Sequence, residues 1–388
     1  AREGAFFFRK EKTYPLFERA SYQRLWEQGL VIRDPCGLIC EDLREIPLRE
    51  VLFLDLETTG LAGGTGTLAF LIGLAYLELD CIVVRQYVLP DFNHEYLMLK
   101  QLDALLRGYR FTASFNGKTF DLPLLRTRFL LNRLETCLDD LVHLDFLHPA
   151  RRIWRQRLNN CDLQSLEREV LGLNRVGDLP GSLIPQMYFE FLRRRDLWAL
   201  EDVLEHNYHD MVNMVLLALR IGAIASDPLT HLQHPLDLCA LAGYYFQRQH
   251  WQLAARLLEH FLAASPSQPV EKKLEAYFLR AMAAKKLNQP EQAMAFLWKI
   301  LDQEHYHPRV VEELAKFYEH QARNFQLASD IVNRGIRAIE VRQQLNPQDE
   351  WGRFLPALQH RLNRLKRRLQ KAREHTAGRA NNGLAGDC

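Results

Sequence analysis

Val51-Leu52-Phe53-Leu54-Asp55-Leu56-Glu57-Thr58-Thr59-Gly60 is the stretch whose reading decides the fold. Four apolar residues in a row, followed at once by turn residues, predict a buried strand. Asp55 and Glu57 lie two apart, and residues at i and i+2 of an extended chain share a face. Two carboxylates about 4 Å apart repel by roughly 4 kcal/mol at an effective dielectric of about 20. A folded chain keeps such a pair only with compensation, and a divalent cation is the simplest compensation.

Outward from this strand, 51–57, 67–77 and 82–89 are rich in β-formers and separated by short turn-like segments, as in an antiparallel meander. A helix at 95–107, a strand at 111–115, a helix from near Thr119 and a strand at 141–145 follow. Hairpin strands followed by β/α alternation predict an α/β domain, with a mixed five-stranded sheet flanked by helices. Residues 149–225 read as mostly helical, interrupted by the Gly-Pro-rich loop 177–182. A long periodic helix at 200–224 ends at Ser226-Asp227-Pro228. The domain spans 49–228, and residues 1–48 read as an N-terminal extension packed on it, with a short helix at 20–28.

From 232 to 374 the segments fall into helix pairs. Ala242, Tyr245, Trp251, Ala254, Leu258, Phe261 and Pro266 sit at offsets that resemble a tetratricopeptide repeat. Ala281, Ala284, Pro290, Ala293, Leu297 and Ile300 echo that pattern, as do Phe325, Ala328, Val332 and Gly335. The reading is an all-α, tetratricopeptide-like repeat domain. It ends in a basic helix carrying Arg361, Arg364, Lys366, Arg367, Arg368, Lys371 and Arg373, either a nucleic-acid contact or a polar cap on the repeats. Residues 375–388, rich in Gly, Asn and Ala, read as a disordered tail.

A length of 388 residues fits two or three domains. The 47% hydrophobic and 25% charged residues are the balance of a globular chain with a sizeable core. A net charge of +2 excludes a chain-wide basic surface, so any basic patch must be local. Cys36 and Cys40 form the close cysteine pair, without the second ligand pair a zinc site needs. The scattered cysteines point to a reducing cytoplasm. The first twelve residues lack signal-peptide architecture, and the longest apolar run, 68–79, is too short to span a bilayer. The expected location is therefore cytoplasmic, with no membrane partner.

Two further stretches bear on the acidic strand. In Ser114-Phe115-Asn116-Gly117-Lys118-Thr119-Phe120-Asp121, a strand ends at Asn116-Gly117 and Asp121 falls in the first turn of a helix. Taken alone, Asp121 reads equally well as a helix-end carboxylate. In Glu205-His206-Asn207-Tyr208-His209-Asp210, His206 and Asp210 stand at i and i+4 on one helix face. Taken alone, that pair reads as a surface contact.

Taken together, Asp-x-Glu on a first strand, Asn-x-x-x-x-Asp after a fourth and His-x-x-x-Asp on a late helix resemble the DEDD superfamily of 3′–5′ exonucleases, which have the ribonuclease H-like fold. The closer resemblance is to YprB-type bacterial proteins. It is carried by Phe53 to Thr67, by Cys161-Asp162-Leu163-Gln164-Ser165-Leu166-Glu167, by Asp178-Leu179-Pro180-Gly181 and by Glu205-His206-Asn207, and it covers roughly residues 50–225.

The resemblance implies that Asp55, Glu57, Asp121 and Asp210 bind two Mg²⁺ or Mn²⁺ ions and hydrolyse phosphodiester bonds of nucleic acid from single-stranded 3′ ends. Many members place a Tyr four residues, or a His five, before the last Asp. Here His206 stands at four and Glu205 at five. His206 is the residue expected to orient or deprotonate the attacking water, with His209 as its alternate. The glycine-rich turn after the strand makes Thr58, Thr59, Gly60 and Leu61 substrate-contact candidates, joined by Asn116 and Lys118. The runs Arg151-Arg152, Arg155, Arg157 and Arg193-Arg194-Arg195 read either as solvated helix faces or as a phosphate track. The repeats imply a protein partner, and a nuclease-fold scaffold acting only through them is the alternative reading.

Overall fold

The computed structural model describes residues 8–15, 30–60, 66–79, 81–175, 177–264, 269–303 and 305–383. Its strands are β1 (Phe8–Pro15), β2 (Val31–Arg33), β3 (Glu45–Pro47), β4 (Val51–Thr58), β5 (Ala69–Glu78), β6 (Cys81–Val88), β7 (Phe111–Ser114) and β8 (Val142–Asp145). Six of them form one mixed sheet in the order β1-β6-β5-β4-β7-β8, and β2 pairs with β3. Strand β4 is central, antiparallel to β5 and parallel to β7. With both edges paired, its backbone is satisfied internally, and Val51 to Leu54 can be fully buried.

The sixth strand corrects the five-stranded expectation. Strand β1 runs antiparallel to β6, with Lys12 opposite Val84 and Pro15 opposite Cys81. Arg9-Lys10-Glu11-Lys12 carries none of the apolar alternation that marks a strand. Charge of this kind suits an edge that must not pair with another chain. Residues 8–15 therefore extend the sheet instead of covering it, and the helix expected at 20–28 lies outside the described residues.

The helices of this unit are α1 (Glu95–Leu106), α2 (Asp121–Leu131), α3 (Leu147–Trp154), α4 (Leu163–Leu166), α5 (Ile184–Arg194), α6 (Glu201–Ser226), α7 (Pro228–His231) and α8 (Pro235–Gln247). Helix α4 runs into a π turn at Glu167–Leu171. Helix α6 has 26 residues and is buried on nearly every side. A Cβ at Gly222 would lie 2.6 Å from Ile32 Cγ1, so the missing side chain lets α6 settle on β2. The segment Leu197–Ser226 is long and apolar enough to cross a membrane, yet 72% of its apolar window is buried, as in a core helix.

Part of the basic runs is structural. Arg157 Nε lies 3.0 Å from both oxygens of the buried Asp237 carboxylate. Arg152 and Arg195 donate to the carbonyls of Leu38 and Pro90.

The chain divides into compact units Ala1–Leu241 and Ala242–Cys388, so that α8 contributes residues to both. The second unit contains α9 (Trp251–Ala263), α10 (Val270–Lys286), α11 (Pro290–Leu301), α12 (Pro308–His320), α13 (Phe325–Leu345) and α14 (Leu355–Gly383). Ala254, Ala293 and Ala328 are fully buried, and a Cβ at Gly335 would lie 2.7 Å from Val311 Cγ1. Small residues thus set how closely these helices approach. Helix α14 continues through Gly383, where the sequence reading places a disordered tail.

The basic helix divides by face. Arg361 and Arg364 bind the carboxylate of Glu319 at 2.7–2.8 Å, and Arg368 stands 3.5 Å away. Glu319 is 1% exposed. Removing one partner of such a cluster strands the others without a counter-charge. Glu319→Ala should therefore cost on the order of 3 kcal/mol in urea unfolding, whereas Lys366→Ala on the exposed face should cost less than about 0.5 kcal/mol.

Candidate metal centre

The site is assembled from β4, α6 and the turn after β7. In the sheet, Asp55 stands opposite Gly73, and Gly73 stands opposite Gln86. Asn207 of α6 lies across that row. Its Nδ2 donates to Asp55 Oδ2 at 3.0 Å, while its Oδ1 accepts from Gln86 Nε2 at 3.0 Å. A Cβ on Gly73 would fall 2.3 Å from Asn207 Oδ1, so only glycine admits this side chain between sheet and helix. Glu57, one pleat on, is opposite Leu71.

The turn after β7 brings in Asp121. Asn116 adopts φ +70°, and a Cβ at Gly117 would meet Asp121 Oδ2 at 2.8 Å. Asp145, at the end of β8, accepts from the backbone N–H groups of Asn116, Lys118 and Leu147 at 2.9–3.1 Å and so fixes the turn. Asp121 is the first residue of α2, but the cap position is Phe120 and no side chain caps the helix. Asp121 is therefore not a capping residue, although it stands as an acid in the first turn of α2.

On α6, His206 Nε2 lies 3.3 Å from Asp210 Oδ2, and its Nδ1 lies 2.8 Å from Asp178 Oδ1. Asp178 also meets Arg175 Nη1 at 3.1 Å. Arg175 bonds Asp210 and Glu167 as well. Donor atoms of Glu57, His206 and Asp210 all lie within 4.8 Å of one another. His209 turns elsewhere, to Glu205 at 3.4 Å, and Glu205 binds Lys12 of β1 at 2.5 Å.

Crowding sets the electrostatics. Burial, then Asp210, pushes the Asp55 carboxyl up to about 7, against His206 and the Asn207 hydrogen bond. Burial and Asp55 hold Glu57 well above the usual carboxylate range. Burial, Asp55 and Asp145 do the same to Asp121. Burial disfavours the His206 cation, but the hydrogen bonds and charges of Asp210 and Asp178 outweigh it and raise the imidazole to about 9. Asp55 and Glu57 thus feel the charges of His206 and Asp210, and Asp121 feels that of Asp55. Such a set of close hard oxygen donors, held at an energetic cost in their charged form, fits divalent cations.

The remaining predicted positions are placed as follows. The Thr58 hydroxyl donates to the Gly60 carbonyl at 2.9 Å, and Thr59 Oγ1 accepts from Leu68 N–H at 3.0 Å. Both hydroxyls thus serve the turn, while a Cβ at Gly60 would meet nothing within 4 Å. Asn116 and Lys118 are exposed in the turn after β7, at the same end of the parallel strands β4 and β7 as Thr58, and Leu61 lies outside the described residues. Asp178, Arg175, Glu167, Asn207, Gln86 and Gly73 went without a role in the sequence reading. Asp178, Glu167 and Asn207 stand in strings singled out there, but only their contacts give them one.

A profile of the RNase_H superfamily matches residues 52–221, a span that holds Asp55, Glu57, Asp121, Arg175, Asp178, His206 and Asp210. Over 338 residues, covering 84% of this chain and 79% of the relative, the sequence is 31% identical to "Uncharacterized protein YprB" of Bacillus subtilis (strain 168). The chain belongs to the YprB family, with an RNase H-like domain.

Two predictions follow from this geometry. Gly73→Ala should drive Asn207 from Asp55 and lower stability by about 1–3 kcal/mol by denaturant unfolding. The pH dependence has a definite sign. The folded state keeps protons on Asp55 between its ordinary value and about 7, and on His206 between its ordinary value and about 9. A folded state that binds the more protons loses stability as pH rises. In chelator the thermal midpoint should fall steadily from about pH 5 to about pH 9, and Mn²⁺ should restore most of the loss at the alkaline end.

Proposed function

We propose that the protein is a metal-dependent 3′–5′ exonuclease of the DEDD type. The observation that supports this reading best is the triad of Glu57, His206 and Asp210, whose ligand atoms lie within 4.8 Å of one another, with Asp55 and Asp121 near enough to act on the Glu57 carboxyl by charge. Two Mg²⁺ or Mn²⁺ ions held by these four acids would neutralise charge at the attacked phosphate and on the attacking and leaving oxygens.

The chain's own residues do the rest. Asp178 holds the His206 ring by Nδ1 and leaves Nε2 on the Glu57–Asp210 side, where the ring would orient the attacking water. Arg175 and His206 balance the Asp210 carboxylate, and Asn207 orients that of Asp55. The substrate end meets Thr58, Thr59, Gly60 and Leu61 through backbone groups. Asn116 and Lys118 lie on the other flank, the Lys118 ammonium forming no ion pair among the described residues. Attack on 3′ ends of single strands follows from the resemblance in motif order and spacing. The helix pairs of the second unit, with their buried small residues, act as tetratricopeptide-like repeats that hold a protein partner. Cysteine usage supports a cytoplasmic location.

Degradation of 5′-labelled single strands in Mn²⁺ tests the reading. Asp55→Ala and Asp210→Ala should fall to background, and calorimetry should show that both lose divalent-ion binding. Asp178→Asn, which acts through His206, should lose about 10–100-fold in rate while still binding metal. Undiminished hydrolysis in Asp55→Ala would sink the proposed centre.

A further inference from the structure

Helix α13 presents Arg334 and Arg337, one turn apart and both exposed, and neither has an ion-pair partner among the described residues. They border a cavity of about 450 Å³ together with His305, Tyr306, Arg342 and Trp351. No carboxylate lines it. The Arg342 guanidinium sits 4.1 Å above the Trp351 ring and is also held by Asp349 at 2.9 Å. His307 and His305 meet the same indole edge-on, with ring centres 5.0 and 5.7 Å away. The indole is thus fixed in place beside two uncompensated guanidinium groups. The local field is positive: burial and then Arg342 hold the His305 imidazole below its ordinary range, and burial, His305, Arg309 and Arg342 do the same to His307.

We propose that this cavity binds single-stranded nucleic acid, with phosphates on Arg334 and Arg337 and a base against the Tyr306–Trp351 wall. Two free guanidinium groups supply the charge that tracks a phosphate backbone, and flat rings supply the surface on which a base stacks whatever its identity. An acidic peptide would satisfy the cations but leave the aromatic wall without a partner. The choice of nucleic acid rests on the nuclease reading, whereas the existence of an anion-binding surface does not.

The test uses the full chain in EDTA with a fluorescent single strand of about 20 nucleotides, titrated at several salt concentrations. Arg334→Gln/Arg337→Gln should bind about tenfold more weakly at about 0.1 M salt. The slope of log K against log salt should become shallower by about 1.4, from two contacts of roughly 0.7 each. Both positions are exposed, so circular dichroism and the thermal midpoint should match the parent. Arg367→Gln/Lys371→Gln, two exposed cations of α14, should leave affinity and slope unchanged. Unaltered oligonucleotide binding in the first variant would overturn the proposal. So would an equal loss in the second, or a loss confined to a labelled oligoglutamate peptide. Weakened binding in a protein whose parent hydrolyses nothing in Mn²⁺ would retire the nuclease reading and keep this surface. Hydrolysis with unaltered binding would retire the surface alone.

Discussion

Asp55 is half-buried on a central strand beside Glu57 and within reach of the charges of Asp210 and Asp121, and the rest of the first unit is arranged to make that tolerable. An unpaired buried carboxylate either finds donors and counter-charges or takes up a proton. Here it does some of each. Asn207 donates to it, His206 faces it as a cation, and its carboxyl is still pushed to about 7. The compensation is incomplete, and that incompleteness distinguishes a binding centre from a structural ion pair. Glu319 in the second unit makes the contrast: its carboxylate is met by two bonded arginines and a third nearby, and they hold it below its ordinary range.

The counter-charges come from segments far from the acids in sequence. Arg175 and Asp178, in the stretch between α4 and α5, close a network of alternating charge around His206 and Asp210, with the buried Glu167 behind it. Removing Arg175 would leave the buried Glu167 without its cation and Asp210 with His206 alone, so the segment orders the site as much as it covers it. The π turn at Glu167–Leu171 is what carries Glu167 to 1% exposure at this point.

Much of this architecture was legible in the sequence, and the reasons differ from element to element. Strand β4 announced itself because an uninterrupted apolar run has few alternatives, and Asp55 and Glu57 stood out against it. His206 and Asp210 were legible because helical spacing alone puts them on one face. Strand β1 was hidden because an edge strand of charged residues looks like a solvated tail. Asn207 was hidden for another reason. Its role depends on Gly73 and Gln86, which become its neighbours only when β4, β5 and β6 are in register. The network of Arg175 and Asp178 rests on contacts 28 to 35 residues away, invisible to any local periodicity. The basic helix divided between a buried and an exposed face only once Glu319 was in place.

Helix α6 explains why the site is held to one geometry. His206 and Asp210 share a face toward Asp178 and Arg175, whereas Asn207, about 100° further round, points at the sheet. The helix can satisfy both only at one rotation and one depth. Gly73 fixes the depth at one end, where any side chain would collide with Asn207, and Gly222 fixes it fifteen residues on, against Ile32. A rotation that improved one set of bonds would break the other. Two glycines in different elements, each chosen by a collision, therefore fix the carboxylates that neither of them touches.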